Sequence, residues 1–244
     1  MDLRHRLITN ARLIIPNPVS RLIRRLAALI DPYATKSYAQ EGEDLILLRL
    51  LNRQPQGFYV DVGAHHPRRF SNTYLFFQLG WHGINIDPNP EAIALFNKDR
   101  PGDCNLLVGV SDRSAELAYY RFNETALNTF DQQLADERKK IADYRLVDTV
   151  RVKVERLDVL FERHLPQGQP VDFLSVDAEG LDLSILQSND WKRFRPRFVL
   201  AECLKTSLSD VATHPVYQFM SDVSYELIAK TLNTVFFQDK NTST

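Results

Sequence analysis

Five carboxylates fall where the sequence places strand ends: Asp61, Asp87, Asp112, Asp177 and Glu202. In an open α/β sheet the carboxyl ends of the strands form the ligand crevice, so five acids from distant parts of the chain are expected on one rim. A carboxylate there can hold a ribose diol, take a proton from a hydroxyl, or ligate Mg²⁺, which would itself lower the pKa of an acceptor hydroxyl. Asp61 differs from the others, because it stands inside its strand and can orient loop amides or a ligand ammonium. Asp177 and Glu179, in Asp177-Ala178-Glu179-Gly180, follow the fourth strand and are candidate bases, with Glu202, His65 and His66 as alternatives. The plainer explanation for Asp112 is helix capping or solubility, and for the histidines loop packing. Lys205 could neutralise an acidic substrate, but reads more simply as a surface lysine.

The elements that carry these residues are legible from their pattern. Phe58-Tyr59-Val60-Asp61-Val62 is a β-branched and aromatic run that stops at Gly63, as a buried parallel strand entering a ligand loop does. Gly83 to Ile86 is a second strand and ends at Asp87, a spacing of roughly 25 residues that puts an acid beside a nucleotide ribose in doubly wound sheets. Asn89-Pro90 starts a helix to about Arg100, and Cys104 to Val110 is a third strand closed by Ser111-Asp112. Leu117 to Phe122 and Thr149 to Val154 alternate like half-exposed strands, so residues 115–155 read as an insertion at the sheet edge. Phe173 to Val176 and Phe198 to Ala201 are strands four and five, and Tyr225 to Phe237 is a closing hairpin. A helix opening at Ser37, one starting at Ser71 and ending before Gly80, one after Leu157 and one after Gly180 complete the layers.

One glycine stands where a dinucleotide fingerprint has three, which argues against NAD. A cofactor without phosphates needs one tight turn and acids for its amine and ribose, and S-adenosylmethionine is such a cofactor. A nucleotide-sugar oxidoreductase or epimerase is the alternative on this half-fold, but neither its glycine-rich signature nor a Tyr-x-x-x-Lys pair is found. The non-enzyme alternative is a cofactor-binding protein with no acceptor site.

Composition sets the frame. With 244 residues, 44% hydrophobic and 25% charged, the chain suits one α/β core with an extension. The net charge of -1 gives no sign of nucleic-acid binding. Cys104 and Cys203 fall toward opposite edges of the sheet and read as reduced thiols, hence a cytoplasmic compartment. No apolar run approaches the roughly 18 residues of a membrane-spanning helix. Residues 1–36 form a separate basic extension before a domain at 37–244. Within it, Val19 to Ile30 is amphipathic with Arg21, Arg24 and Arg25 on its polar side. Two readings follow: peripheral contact of residues 1–31 with an anionic inner membrane surface or a partner, or, preferred, a helix packed on the domain.

Seven blocks of sequence resemble the FkbM family of S-adenosylmethionine-dependent methyltransferases: S-Y-A-Q-E-G-E-D at 37–44, V-D-V-G-A-H-H-P at 60–67, S-N-T at 71–73, G-W-H-G-I-N-I-D-P-N-P at 80–90, G-V-S-D at 109–112, L-N-T-F at 127–130 and S-V-D-A-E-G at 175–180. The resemblance implies a class I methyltransferase (Rossmann-like) α/β fold, with strand order 3-2-1-4-5-7-6 and an antiparallel last strand. It implies O-methylation of a hydroxyl on a sugar, polysaccharide or natural-product acceptor. Carried over by position, Asp61, Gly63 and Ala64 match the first cofactor motif, Asp87 the ribose acid, and Ser111 and Asp112 the adenine-side turn. Gln40 and Asn72 match polar positions that close over the methionine end.

Overall fold

The computed structural model describes residues 34–204 and 206–241. The basic helix expected within residues 1–36, together with Lys205, falls outside them, apart from the short stretch 34–36. In chain order the strands are β1 (Phe58–Val62), β2 (His82–Asp87), β3 (Cys104–Leu107), β4 (Gly109–Val110), β5 (Ala115–Phe122), β6 (Leu146–Glu155), β7 (Phe173–Val176), β8 (Phe198–Glu202), β9 (Tyr225–Lys230) and β10 (Thr234–Asp239). The helices are α1 (Glu43–Leu50), α2 (Tyr74–Gln78), α3 (Pro90–Asp99), α4 (Gln132–Arg138), α5 (Leu157–His164), α6 (Asp182–Gln187) and α7 (Pro215–Asp222).

The main sheet runs β3-β2-β1-β7-β8-β10-β9, parallel throughout except for β10, which is antiparallel to both neighbours. This is the class I methyltransferase order, 3-2-1-4-5-7-6. Period-two alternation divides its residues between two cores. Tyr59, Phe173, Phe198 and Phe236 face Leu47 and Leu51 of the α1 region, Phe76 of α2, and Trp81. Val60, Val62, Ile84, Ile86, Leu174 and Val176 face Leu160 and Phe161 of α5, Ile185 and Leu186 of α6, and Met220 of α7. Both faces are covered, which is why these strands read as nearly continuous apolar runs.

Three elements differ from expectation. The stretch 104–110 is not one strand: β3 forms the edge of the main sheet, while β4 crosses into a second sheet of order β4-β6-β5. Gly109 permits the crossing, since a Cβ there would lie 2.7 Å from the Phe130 ring and 2.8 Å from Val154. The helix expected from Ser37 begins only at Glu43. The Asp44 carboxylate turns back to accept from Ser37 Oγ at 2.6 Å and from the Tyr38 amide at 2.7 Å, so residues 37–42 run as a strap ahead of α1. Helix α7 had no counterpart in the sequence reading, although Pro215 at its first turn, capped by His214 Nδ1 accepting from Val216 N, is a helix-start signal.

Candidate active site

Backbone geometry comes first at this site. Gly63, with φ 78°, turns the chain out of β1 so tightly that a Cβ would fall 1.7 Å from the Asp177 carbonyl oxygen. No other residue fits there. The turn opens a cleft along the carboxyl ends of β1, β2 and β7, lined by Gly63, His65, Asp87, Val110, Tyr119 and Asp177 among others. Its empty space, with the open solvent at its mouth included, comes to about 750 Å³.

At one end stands Asp87, the last residue of β2. Its Oδ2 accepts the His65 amide at 2.8 Å and its Oδ1 the Asn89 amide at 2.7 Å. Each oxygen keeps a lone pair for a ligand hydroxyl. Burial raises the Asp87 pKa to about 6 against the lowering effect of these two amides. His65, also at positive φ (54°), turns a buried Nε2 with no hydrogen-bond partner among the described residues. Burial, then the charges of Arg69 and His66, lower its pKa to about 4, so the ring is neutral near pH 7 and a weak base. Beyond Asp87 the walls are apolar and aromatic, with Ile86, Val108, Val110 and Phe130 lining the cleft and the Tyr119 ring tilted against that of Phe130, centroids 4.7 Å apart.

At the other end the cleft opens into a vestibule lined by Gln40, Phe70, Asp177, Glu179, Glu202 and Asn233 among others. Asp177 follows β7 directly, and Glu202 ends the neighbouring β8. Parallel strands in register therefore deliver two acids to one rim. Burial, then the charges of Asp177, Glu179 and Asp182, push Glu202 up to about 10. Asp177 lies well above the usual carboxylate range, through enclosure by protein and then through Glu179, Asp182, Asp61 and Glu43. Its surface is exposed toward the cleft, so solvent offsets much of the effect of enclosure and the neighbouring negative charges hold the pKa up. Glu179 is also raised by burial, opposed by the Arg138 guanidinium that donates to its carboxylate. These acids share protons, and their titration belongs to the cluster.

The segment expected to be an edge insertion builds one wall of this site. Thr129 is tied to Tyr120 by paired backbone hydrogen bonds, and Asn128 Oδ1 accepts the Phe122 amide at 2.8 Å. From that anchorage Thr129 Oγ1 donates to the Glu179 carbonyl at 2.7 Å, and Arg138 of α4 reaches the Glu179 side chain. Glu179 is held at φ 51° by these contacts. Tyr119, Asn128, Phe130 and Arg138 were not among the candidate residues. The block L-N-T-F at 127–130 was the signal that could have found two of them.

The structure brings together Gly63, His65, Asp87, Asp177 and Glu179 around the cleft, with Gln40 at its mouth. Asn72 lines an adjoining recess, where its Nδ2 donates to Ser175 Oγ at 3.0 Å. Four candidates lie elsewhere. Asp61 is buried on the opposite face of β1 from Val60 and Val62 and accepts from Thr73 Oγ1 at 3.0 Å. The Ala64 amide is used by the Ile86 carbonyl, Ser111 is buried with its amide on the Glu155 carbonyl, and Asp112 is exposed beside Arg113. None of the four is among the residues lining the cleft. The single rim of five acids is therefore corrected to a rim of Asp87, Asp177 and Glu202, joined by Glu179. For the Mg²⁺ that the acids could alternatively hold, no group of three or more His, Cys, Asp or Glu among the described residues has metal-binding geometry. Cys104 and Cys203 are both free thiols.

A sheet in this order with a ligand cleft over β1, β2 and β7 defines the class I methyltransferase fold. A family model described as Methyltransferase FkbM domain matches residues 61–227. The chain belongs to the FkbM methyltransferase family, which sets aside the oxidoreductase alternative. Among solved structures, it is similar to an O-methyltransferase from Bacillus cereus in complex with SAH, at 12% identity and a TM-score of 0.40, covering 93% of each chain. It is also similar to the small RNA methyltransferase HEN1, at 11% identity and a TM-score of 0.37, covering 88% of this chain and 28% of that one. Likeness at that level gives no residue a role. Comparison with curated proteins found no match.

Proposed function

We propose that the protein transfers a methyl group from S-adenosylmethionine to a hydroxyl of a sugar, polysaccharide or natural-product acceptor. The observation that carries this reading is the carboxylate cluster of Asp177, Glu179 and Glu202 at the mouth of a cleft whose far end is a polar acid beside an apolar wall. The chemistry of the lining suits the cofactor: Asp87 has lone pairs for the ribose hydroxyls, Val108, Val110 and Phe130 offer a face for adenine, and the buried Nε2 of His65 awaits a partner. When bound, S-adenosylmethionine supplies an electrophilic methyl group whose leaving group is a neutral thioether.

What the chain must add is alignment and proton removal. Asp177 is the base in this reading. Its neighbours raise its pKa well above the ordinary carboxylate range, which makes it a stronger base than a free carboxylate, and its surface is open to the cleft. The acceptor hydroxyl gives its proton to Asp177 as its oxygen forms the new bond to carbon. Glu179, fixed by Arg138, and buried Asp182 and Asp61 supply the negative potential that keeps Asp177 basic.

Among the described residues no helix is long and apolar enough to cross a membrane. Peripheral contact through residues 1–31 stays a proposal, tested by comparing sedimentation of the full and truncated chains with anionic vesicles.

Equilibrium dialysis with S-adenosylmethionine, followed by methyl transfer to a panel of glycosides and hydroxylated natural products, tests the function. Asp177→Asn should bind the cofactor as the parent does and turn over roughly 10²-fold more slowly or worse. Near-normal turnover in that variant would remove Asp177 from the role, and a parent chain that does not bind the cofactor would end the proposal.

A further inference from the structure

Arg100 is completely buried, a costly position for a guanidinium that ordinarily seeks a direct carboxylate partner. Its hydrogen bonds go instead to three oxygens of one loop: Nη1 to Thr73 Oγ1 at 2.8 Å, Nη2 to Ser71 Oγ at 2.9 Å, and Nη2 to the Pro67 carbonyl. Thr73 Oγ1 passes the connection on, donating to Asp61 Oδ2 at 3.0 Å inside β1. Three ring faces complete the enclosure, with the guanidinium carbon 5.0 Å from the Phe96 centroid and 5.3 Å from those of Tyr74 and Phe77. The backbone of Arg100 is itself fixed, its carbonyl accepting from the Asp103 amide at 3.1 Å and Asn105 Nδ2 at 3.2 Å.

The loop so held is the one that carries Phe70, at φ 55°, and Asn72 to the cleft and its adjoining recess. It also holds the strap ahead of α1. The Ser71 amide donates to the Tyr38 carbonyl at 3.0 Å, and the Tyr38 ring meets Tyr74 edge-on at 4.6 Å, two residues before Gln40 lines the same mouth. Phe70, Asn72 and the strap that carries Gln40 are thus linked through the 67–73 loop to one buried guanidinium. The carboxylate of Asp61, found inside β1 and away from the ligand, is explained by the same arrangement: it balances the Arg100 charge through Thr73.

We propose that Arg100, bridged to Asp61 through Thr73, is a positioning residue that sets the 67–73 loop and the 37–42 strap against the ligand cleft, and so governs affinity for the cofactor without touching it. The statement about affinity rests on the cofactor reading above.

Thr73→Val removes the bridging hydroxyl at nearly constant shape, Thr73→Ser restores it, and Arg100→Lys keeps the charge but cannot reach three oxygens. Two readouts separate this inference from the cofactor assignment. Hydrogen exchange without ligand should show faster exchange at the amides of residues 68–73 in Thr73→Val and Arg100→Lys, with those of β1 and β2 unchanged and Thr73→Ser close to the parent. Titration with S-adenosylmethionine should give about a tenfold or greater weakening in the first two variants, with kcat at saturating cofactor within about threefold of the parent. Parent-like loop exchange in a folded Thr73→Val chain would overturn the proposal, as would cofactor affinity equal to the parent's in a parent that binds. If the parent itself does not bind, the cofactor assignment fails and the exchange experiment still decides the positioning role.

Discussion

Glu202 gives the sharpest test of the electrostatics, because the fold holds its carboxyl protonated. The side chain ends β8, faces the vestibule, and has its pKa pushed up to about 10 by burial and by Asp177, Glu179 and Asp182. An unfolded glutamate titrates near 4.3. The folded pKa is the higher of the two, so the stability tied to this group is fully present below the unfolded value and is lost as pH rises toward the folded one. The slope is at most about 1.4 kcal/mol per pH unit for one group, hence a ceiling of about 4 kcal/mol between pH 5 and pH 8. Proton sharing with Asp177 and Glu179, and partial contact with solvent, reduce this to an expected 1–2 kcal/mol, on the order of one coupled proton. Glu202→Gln mimics the protonated acid and cannot ionise. Denaturant unfolding at pH 5, 6.5 and 8 should find the stability advantage of the variant over the parent growing by that amount from pH 5 to pH 8. Parallel stability curves across the range would refute the reasoning.

Gly63→Ala should destabilise the fold by more than about 2 kcal/mol, because it combines a left-handed backbone with overlap of the Asp177 carbonyl; a melting temperature within a degree or two of the parent would contradict the turn geometry. His65→Gln should leave any acid limb between pH 5.5 and 7.5 in the kcat/KM profile where it was, because a ring with pKa about 4 does not titrate there. Movement of that limb would return His65 to the list of bases.

The parts of the fold that were legible in the sequence are those whose local signal and tertiary role agree. Val60 and Val62 had to be buried, Asn89 does cap α3 by accepting from the Glu91 amide at 3.2 Å, and Phe173 to Val176 is a strand at the bounds read from its composition. Strand ends were legible too, and with them Asp87, Asp177 and Glu202. The direction a side chain takes near a strand end was not. Asp61 is one residue out of phase with Val60 and Val62, and period-two alternation already sends it to the other face, where Asn85 and Ser175 stand beside it in register. Ser111 and Asp112 were misplaced for a different reason: the chain leaves the main sheet at Val108, a departure that no periodicity announces.

The residues missed altogether share one physical cause. Tyr119, Asn128, Phe130 and Arg138 belong to a segment whose sequence looks half-exposed because only one face of the β5–β6 pair is covered, and half-exposure reads as peripheral. Its inner side nevertheless closes the cleft, and through Thr129 and Arg138 it fixes both the backbone and the carboxylate of Glu179. The strand ends alone would bring Asp177 and Glu202 together and leave Glu179 free to turn toward solvent. With the segment in place the Glu179 carboxylate is held beside them, and its charge is one of the causes that raise Asp177 above the ordinary carboxylate range. The segment carried by the second sheet therefore shapes the carboxylate cluster as directly as the strand ends do.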